Sequence, residues 1–188
     1  MKLALAFCIP IFVVVPTPHA NRPIPSASPS AAAHAPGGPP HVGDAAPDFD
    51  FQAVDHAWRR FHEFYEQGDV LLVFGATDAE LVAIERSSDA LLAAGVVPIA
   101  IVGDRDADAW KRIERGRLTY SLLSDPRGDL AGRFGVVDAT GRARFAWLVI
   151  DRSGRVRGVG DARPAAAAWP QLASSALGRS EIEAASTH

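Results

Sequence analysis

Hydrophobic positions fall into short blocks separated by polar or glycine-containing turns, and their spacing predicts the elements of the domain. Val70 to Phe74 form an unbroken run of branched and aromatic residues ended by Gly75; this predicts a strand buried on both faces. Thr77 is placed to cap a following helix, and Glu80, three residues on, completes a capping box ahead of Leu81, Ile84, Leu91 and Leu92. That helix is expected over 78–94, with Gly95 as its C-cap. A second buried strand follows over 96–102, and Ala107, Trp110, Ile113 and Glu114 at helical spacing predict a helix over 104–115. A short strand at 120–123 leads to Ser124-Asp125-Pro126, the composition of a helix start, with Leu130, Ala131 and Phe134 facing inward. Gly141 marks a turn. Residues 145–151 and 156–159 read as a hairpin around Asp151 to Gly154, and a last helix covers 170–177. Upstream, 48–54 and 57–61 form a hairpin, with Asp55 and His56 at its turn. Strands alternating with helices and closed by a hairpin imply an α/β domain, a mixed sheet with helices on both faces.

The N-terminus follows another pattern. Met1 and Lys2 precede an apolar run over 3–15, shorter than the about 20 residues of a membrane-spanning helix. A signal peptide over 1–20 is expected, cut after Ala20 or within Ala31 to Ala33, with an uncleaved anchor as the alternative. Phe7 before Cys8 is too bulky for a lipidation site. Export to a periplasm, or secretion, is the expectation. Residues 21–41 are dominated by Pro, Ala, Ser and Gly and predict a flexible linker, in which His34 and His41 are solvated. One domain over 42–177 and a flexible tail over 178–188 complete the chain.

Composition narrows the chemistry. The chain is 48% hydrophobic and 22% charged with a net charge of -3, so no basic footprint for nucleic acid is present. Cys8 is the only cysteine and Met1 the only methionine. Residues 42–177 therefore offer no thiolate nucleophile, disulfide or thioether ligand, and no cofactor or metal is expected. His56 and His62, beside Asp55 and Glu63, invite a metal reading, but their spacing gives no common face and solvated turn residues are expected. Asp104, Asp106 and Asp108 fit helix capping, since the glycine and terminal glutamate of a calcium loop are missing. Ser87-Ser88 and Ser174-Ser175 lack a nucleophile-elbow setting. Trp58, Trp110 and Trp147 are expected in the core or at an interface.

Four segments carry a family resemblance. Val42-Gly-Asp-Ala-Ala-Pro-Asp-Phe49, Leu71-Leu-Val-Phe74, the stretch from Leu122-Leu-Ser-Asp-Pro126 to Val136, and Leu148-Val-Ile-Asp-Arg-Ser-Gly-Arg-Val156 resemble, in order and spacing, the signatures of the peroxiredoxin family. This is the alkyl hydroperoxide reductase and thiol-specific antioxidant (AhpC/TSA) branch of the thioredoxin fold. The resemblance implies a thioredoxin-like fold with an N-terminal β-hairpin and, for typical members, thiol peroxidase activity. Peroxide-reducing members place a cysteine at the turn after the 70–74 strand, in a Pro-x-x-x-Thr-x-x-Cys motif. Here the turn Gly75 to Glu80 is shortened. If Thr77 matches the motif threonine, Glu80 takes the cysteine position; with a different gap, Asp78 takes it. The family's arginine corresponds to Arg144, one residue further out than the pattern requires. The Cys-x-x-Cys pair and cis-proline of related reductases are also missing.

Gly75, Thr77, Asp78, Glu80 and Arg144 thus outline a degenerate active-site region without a catalytic residue. Two carboxylates in a first helical turn are explained by capping and dipole interactions of about 0.3–1 kcal/mol each. A further expectation is that one of them stands in for an oxidised cysteine and holds a recognition surface in one state. The primary reading is an exported binding or scaffold module that holds a periplasmic protein partner, with a homodimer allowed. The alternative is a redox-class enzyme, acting on peroxides or disulfides, whose partner supplies the thiol.

Overall fold

The computed structural model describes residues 38–52 and 58–179. β1 (Asp50–Gln52) and β2 (Trp58–Arg60) form an antiparallel pair, Asp50 opposite Arg60. The predicted turn with Asp55 and His56 lies outside the described residues. α1 (Glu63–Gln67) leads into β3 (Asp69–Phe74), followed by α2 (Asp78–Ala93), β4 (Val96–Val102), α3 (Asp106–Gly116), β5 (Ser121–Ser124), α4 (Asp129–Arg133), β6 (Ala146–Ile150), β7 (Val156–Gly160) and α5 (Trp169–Ala176). The main sheet runs β5-β4-β3-β6-β7. β3 pairs parallel with β4, and β4 with β5; β6 is antiparallel to both β3 and β7. This is the mixed sheet that the alternating pattern implies, and the fold is thioredoxin-like.

All six residues of β3 are buried, because the central strand has a core on each side. Val70, Leu72 and Phe74 join Ile99, Ile101, Leu148 and Ile150 in one core, completed by Phe64 of α1 and by Ala131 and Phe134 of and beside α4. Aromatic rings fill this side: Phe49 stacks on Phe61 at 4.6 Å, and Phe74 lies 5.2 Å from Phe134. Leu71 and Val73 face the other way, onto Leu81, Ile84 and Leu91 of α2, Ala109 of α3, and Trp169 and Ala173 of α5. Residues ahead of β1 bind the outer edge of β7, with Gly43 N donating to Val156 O and Val156 N to Asp44 O, at 2.8 and 2.9 Å. Just beyond α5, the Arg179 guanidinium bonds the buried Asp69 carboxylate and the Ala94 carbonyl. Among the described residues no helix is long and apolar enough to cross a membrane.

Several expectations are corrected. α1 has no counterpart in the periodicity reading, since five residues contain too little of a helical repeat. α3 starts at Asp106 with Arg105 as N-cap, and its inward residue is Ala109; Ala107 is exposed and Trp110 47% exposed. Leu92 is also outside the core, at 53% exposed. α4 begins beyond Pro126 because Asp125 folds back, its carboxylate accepting from Leu130 N at 3.2 Å and Ala131 N at 2.9 Å. Trp58 is 73% exposed on the short, two-stranded hairpin. The tryptophan that does fill the core is Trp169, 1% exposed.

Candidate functional site

The region singled out by the sequence lies where β3 gives way to α2. Gly75 makes the turn with φ +60°, and a Cβ there would stand 2.9 Å from the Arg144 carbonyl group, so both conformation and space demand glycine. Thr77 then caps α2 from extended geometry. Its Oγ1 accepts from Glu80 N at 3.4 Å, while Glu80 Oε2 accepts from Thr77 N at 2.7 Å and from Thr77 Oγ1 at 2.8 Å. The predicted capping box is formed in both directions.

Glu80 has a second partner that the sequence reading missed. Its Oε1 accepts from Arg163, in the connection after β7, and that guanidinium lies 4.4 Å over the Phe145 ring. The Glu80 side chain is only 14% exposed. Burial pushes its pKa up, but the Arg163 hydrogen bond and the Thr77 donors outweigh this and hold the carboxyl below the usual range. No pattern pointed to Arg163: it stands in Asp161-Ala-Arg-Pro-Ala165, a stretch with neither helical nor strand period.

Asp78 and Glu80 do not form a carboxylate pair with a shared role. Asp78 turns to α3, meeting Arg115 Nη1 at 2.8 Å and Arg112 Nε at 3.4 Å. Arg112 also bonds the Ala76 carbonyl at 3.2 Å and Asp104 at 2.9 Å, so Asp104 pairs across α3 instead of capping it. A shallow groove between α2 and α3 is lined by Asp78, Leu81, Val82, Arg112, Arg115 and Gly116. Arg144 passes behind Gly75, and its Nη1 faces Asp161 at 3.5 Å. Three arginines thus gather at the helix N-terminus, Arg112 and Arg115 on the Asp78 side and Arg163 on Glu80, with Arg144 bracing the Arg163 connection one step back.

His62 Nδ1 is 2.9 Å from Asp48 Oδ2, and His62 N donates to Asp48 Oδ1 at 3.1 Å, which ties β2 back to the start of β1. His56 lies outside the described residues. Among the described residues no three His, Cys, Asp or Glu side chains converge as a metal site. Ser87 and Ser88 are buried on α2, and Ser174 and Ser175 lie on α5.

This arrangement matches solved structures of peroxide- and disulfide-handling proteins in fold. Peroxidoxin BcpB from Mycobacterium tuberculosis superposes with a TM-score of 0.64 at 24% identity, covering 72% of this chain and 95% of its own. The reduced 2-Cys peroxiredoxin of Plasmodium vivax gives 0.61 at 22%, covering 73% and 96%. A putative thiol:disulfide interchange protein DsbE from Chlorobium tepidum gives 0.59 at 23%, covering 73% and 98%. No curated protein is significantly similar to the chain. The profile of the AhpC/TSA family matches residues 42–159, most of the described fold and all of the β3–α2 turn, and in that span there is no cysteine. With its signatures in order and its sheet in the matching topology, the chain belongs to the AhpC/TSA family, the peroxiredoxin-like branch of the thioredoxin fold.

Proposed function

We propose that this protein is an exported binding or scaffold module that keeps the peroxiredoxin fold and not its thiol chemistry. The observation that carries the reading is Glu80. At the helix N-terminus, where a reactive thiolate gains from the positive end of the dipole, the chain places a carboxylate engaged by Thr77 and Arg163. A carboxylate held in its ionised form has no route to reduce a peroxide O–O bond. The span 1–20 serves as signal peptide and 21–41 as a tether for the domain over 42–177, with 178–188 as its tail. The partner class is a periplasmic protein.

The test is hydroperoxide consumption by the purified chain and its Cys8→Ser variant, with dithiothreitol and with a thioredoxin system as reductants. Neither protein is expected to exceed the no-protein rate. Turnover that persists in Cys8→Ser, in the presence of a chelator, overturns the reading. Turnover that appears only when a thiol-bearing partner is added points instead to the redox-class alternative.

A further inference from the structure

Residues 161–168 cross the start of α2 as a strap, and polar contacts hold it there. The Ala162 carbonyl accepts from Trp147 Nε1 at 3.2 Å, Asp161 faces Arg144 at 3.5 Å, and Arg163 bonds Glu80 while lying 4.4 Å over Phe145. The strap itself contributes little to either core: six of its eight residues are exposed, and Pro164 and Ala168 are half-buried. A segment held by a few polar contacts and almost no apolar burial opens at low cost.

Beneath it lies a built cradle. One wall is the Phe145 face. The other is the Glu80 carboxylate, whose free rotation is removed by two bonds from Thr77. An aromatic face beside an oriented carboxylate suits a guanidinium, which is planar and weakly hydrated, and stacks and hydrogen-bonds at once. An ammonium can bond the carboxylate or sit over the ring, but it has no plane to stack on the ring while its donors reach the carboxylate, and it is more strongly hydrated. We infer that this cradle recognises an arginine side chain of a protein partner, and that Arg163 is its built-in competitor, so that docking of the partner's arginine lifts the strap. The inference rests on the binding-module reading and names the chemistry of the partner at the same site. Arg163 is half-exposed, so an incoming side chain reaches the cradle edge without prior unfolding.

The strap's tether keeps Arg163 at high local concentration, which lowers the apparent affinity for any outside arginine by the fraction of time the cradle is closed. The probe is N-acetyl-arginine methylamide, titrated into the full chain and its Arg163→Ala variant. The indole N–H resonance of Trp147, assigned with Trp147→Phe, reports the strap. Arg163→Ala is expected to bind the probe at least about tenfold more tightly than the unaltered chain. The lysine analogue should bind more weakly, and Arg163→Ala combined with Glu80→Gln should lose binding. Because Glu80 also caps α2, Arg163→Ala combined with Phe145→Leu reads the other wall independently. Equal affinity of the unaltered and Arg163→Ala chains, no binding by Arg163→Ala, equal preference for lysine, or undiminished binding after loss of either wall overturns the inference. Any of these, with peroxide consumption still absent, removes the cradle alone and leaves the binding-module reading standing.

Discussion

Asp151 sits at the tip of the β6–β7 hairpin and gathers four donors: Ser153 N at 2.9 Å, Ser153 Oγ at 2.5 Å, Arg155 N at 3.1 Å and Arg157 Nε at 2.5 Å. Burial works to raise its pKa, yet bonds from Ser153, Arg155 and Arg157 bring it down to about 2. A carboxyl whose folded pKa lies below its unfolded value, near about 3.9, adds stability that is complete above the unfolded value. That stability disappears as pH falls through the folded one. Urea midpoints for the native chain and Asp151→Asn should therefore differ at pH 7 and converge between pH 4 and pH 2. The gap at neutral pH should be on the order of 1 kcal/mol after solvent screening. Glu80 titrates in the same sense. Its Thr77 box was legible because both partners lie within four residues of each other, whereas Arg163 is 83 positions away and leaves no local trace. Local chemistry is written in spacing; a long-range ion pair between a helix start and a distant loop is not.

Elements with a full period were legible for the same reason. β3, β4 and α2 coincide closely with their expected spans, since each carries several residues of one repeat. The five-residue α1 had no such repeat to show; α4 was expected from Ser124-Asp125-Pro126 and its inward Ala131 and Phe134, but its start at Asp129 is placed by the Asp125 carboxylate, which pattern does not reveal. Hairpin β6–β7 depends on a feature hidden in composition. Trp147 lies across Gly158 and Gly160, and a Cβ on Gly160 would come within 2.4 Å of its ring. Gly160→Ala should cost about 1–3 kcal/mol by overpacking and weaken the Trp147 bond to Ala162. Gly132→Ala in α4, where a Cβ meets nothing within 4 Å, should be neutral or stabilising by up to about 1 kcal/mol. Denaturant midpoints compared side by side check both.

At the level of the whole molecule, one sheet divides two cores, and β3 belongs to both. Leu71 and Leu72 are adjacent in sequence, fully buried, and on opposite faces. Leu71→Ala and Leu72→Ala should each cost about 2–5 kcal/mol. Each should shift one common transition, seen at the same denaturant concentration by near- and far-ultraviolet circular dichroism, because neither core survives without the strand between them. Two separate transitions would refute this coupling. The α/β class followed from alternation, and the family signatures carried the thioredoxin-like architecture. The order of strands did not follow from periodicity, since nothing within β3 shows that its antiparallel neighbour is β6.

That pairing has a consequence for how the chain is made. β3 emerges from the ribosome early and finds β4 soon after, but the partner on its other edge, β6, arrives only after α3, β5 and α4 have been synthesised. Throughout that interval the strand's apolar run has one unpaired edge and no completed core on either side. Nascent chains in that state are prone to aggregate, so the run from Val70 to Phe74 is a point of aggregation risk until the last third of the domain is available to cover it.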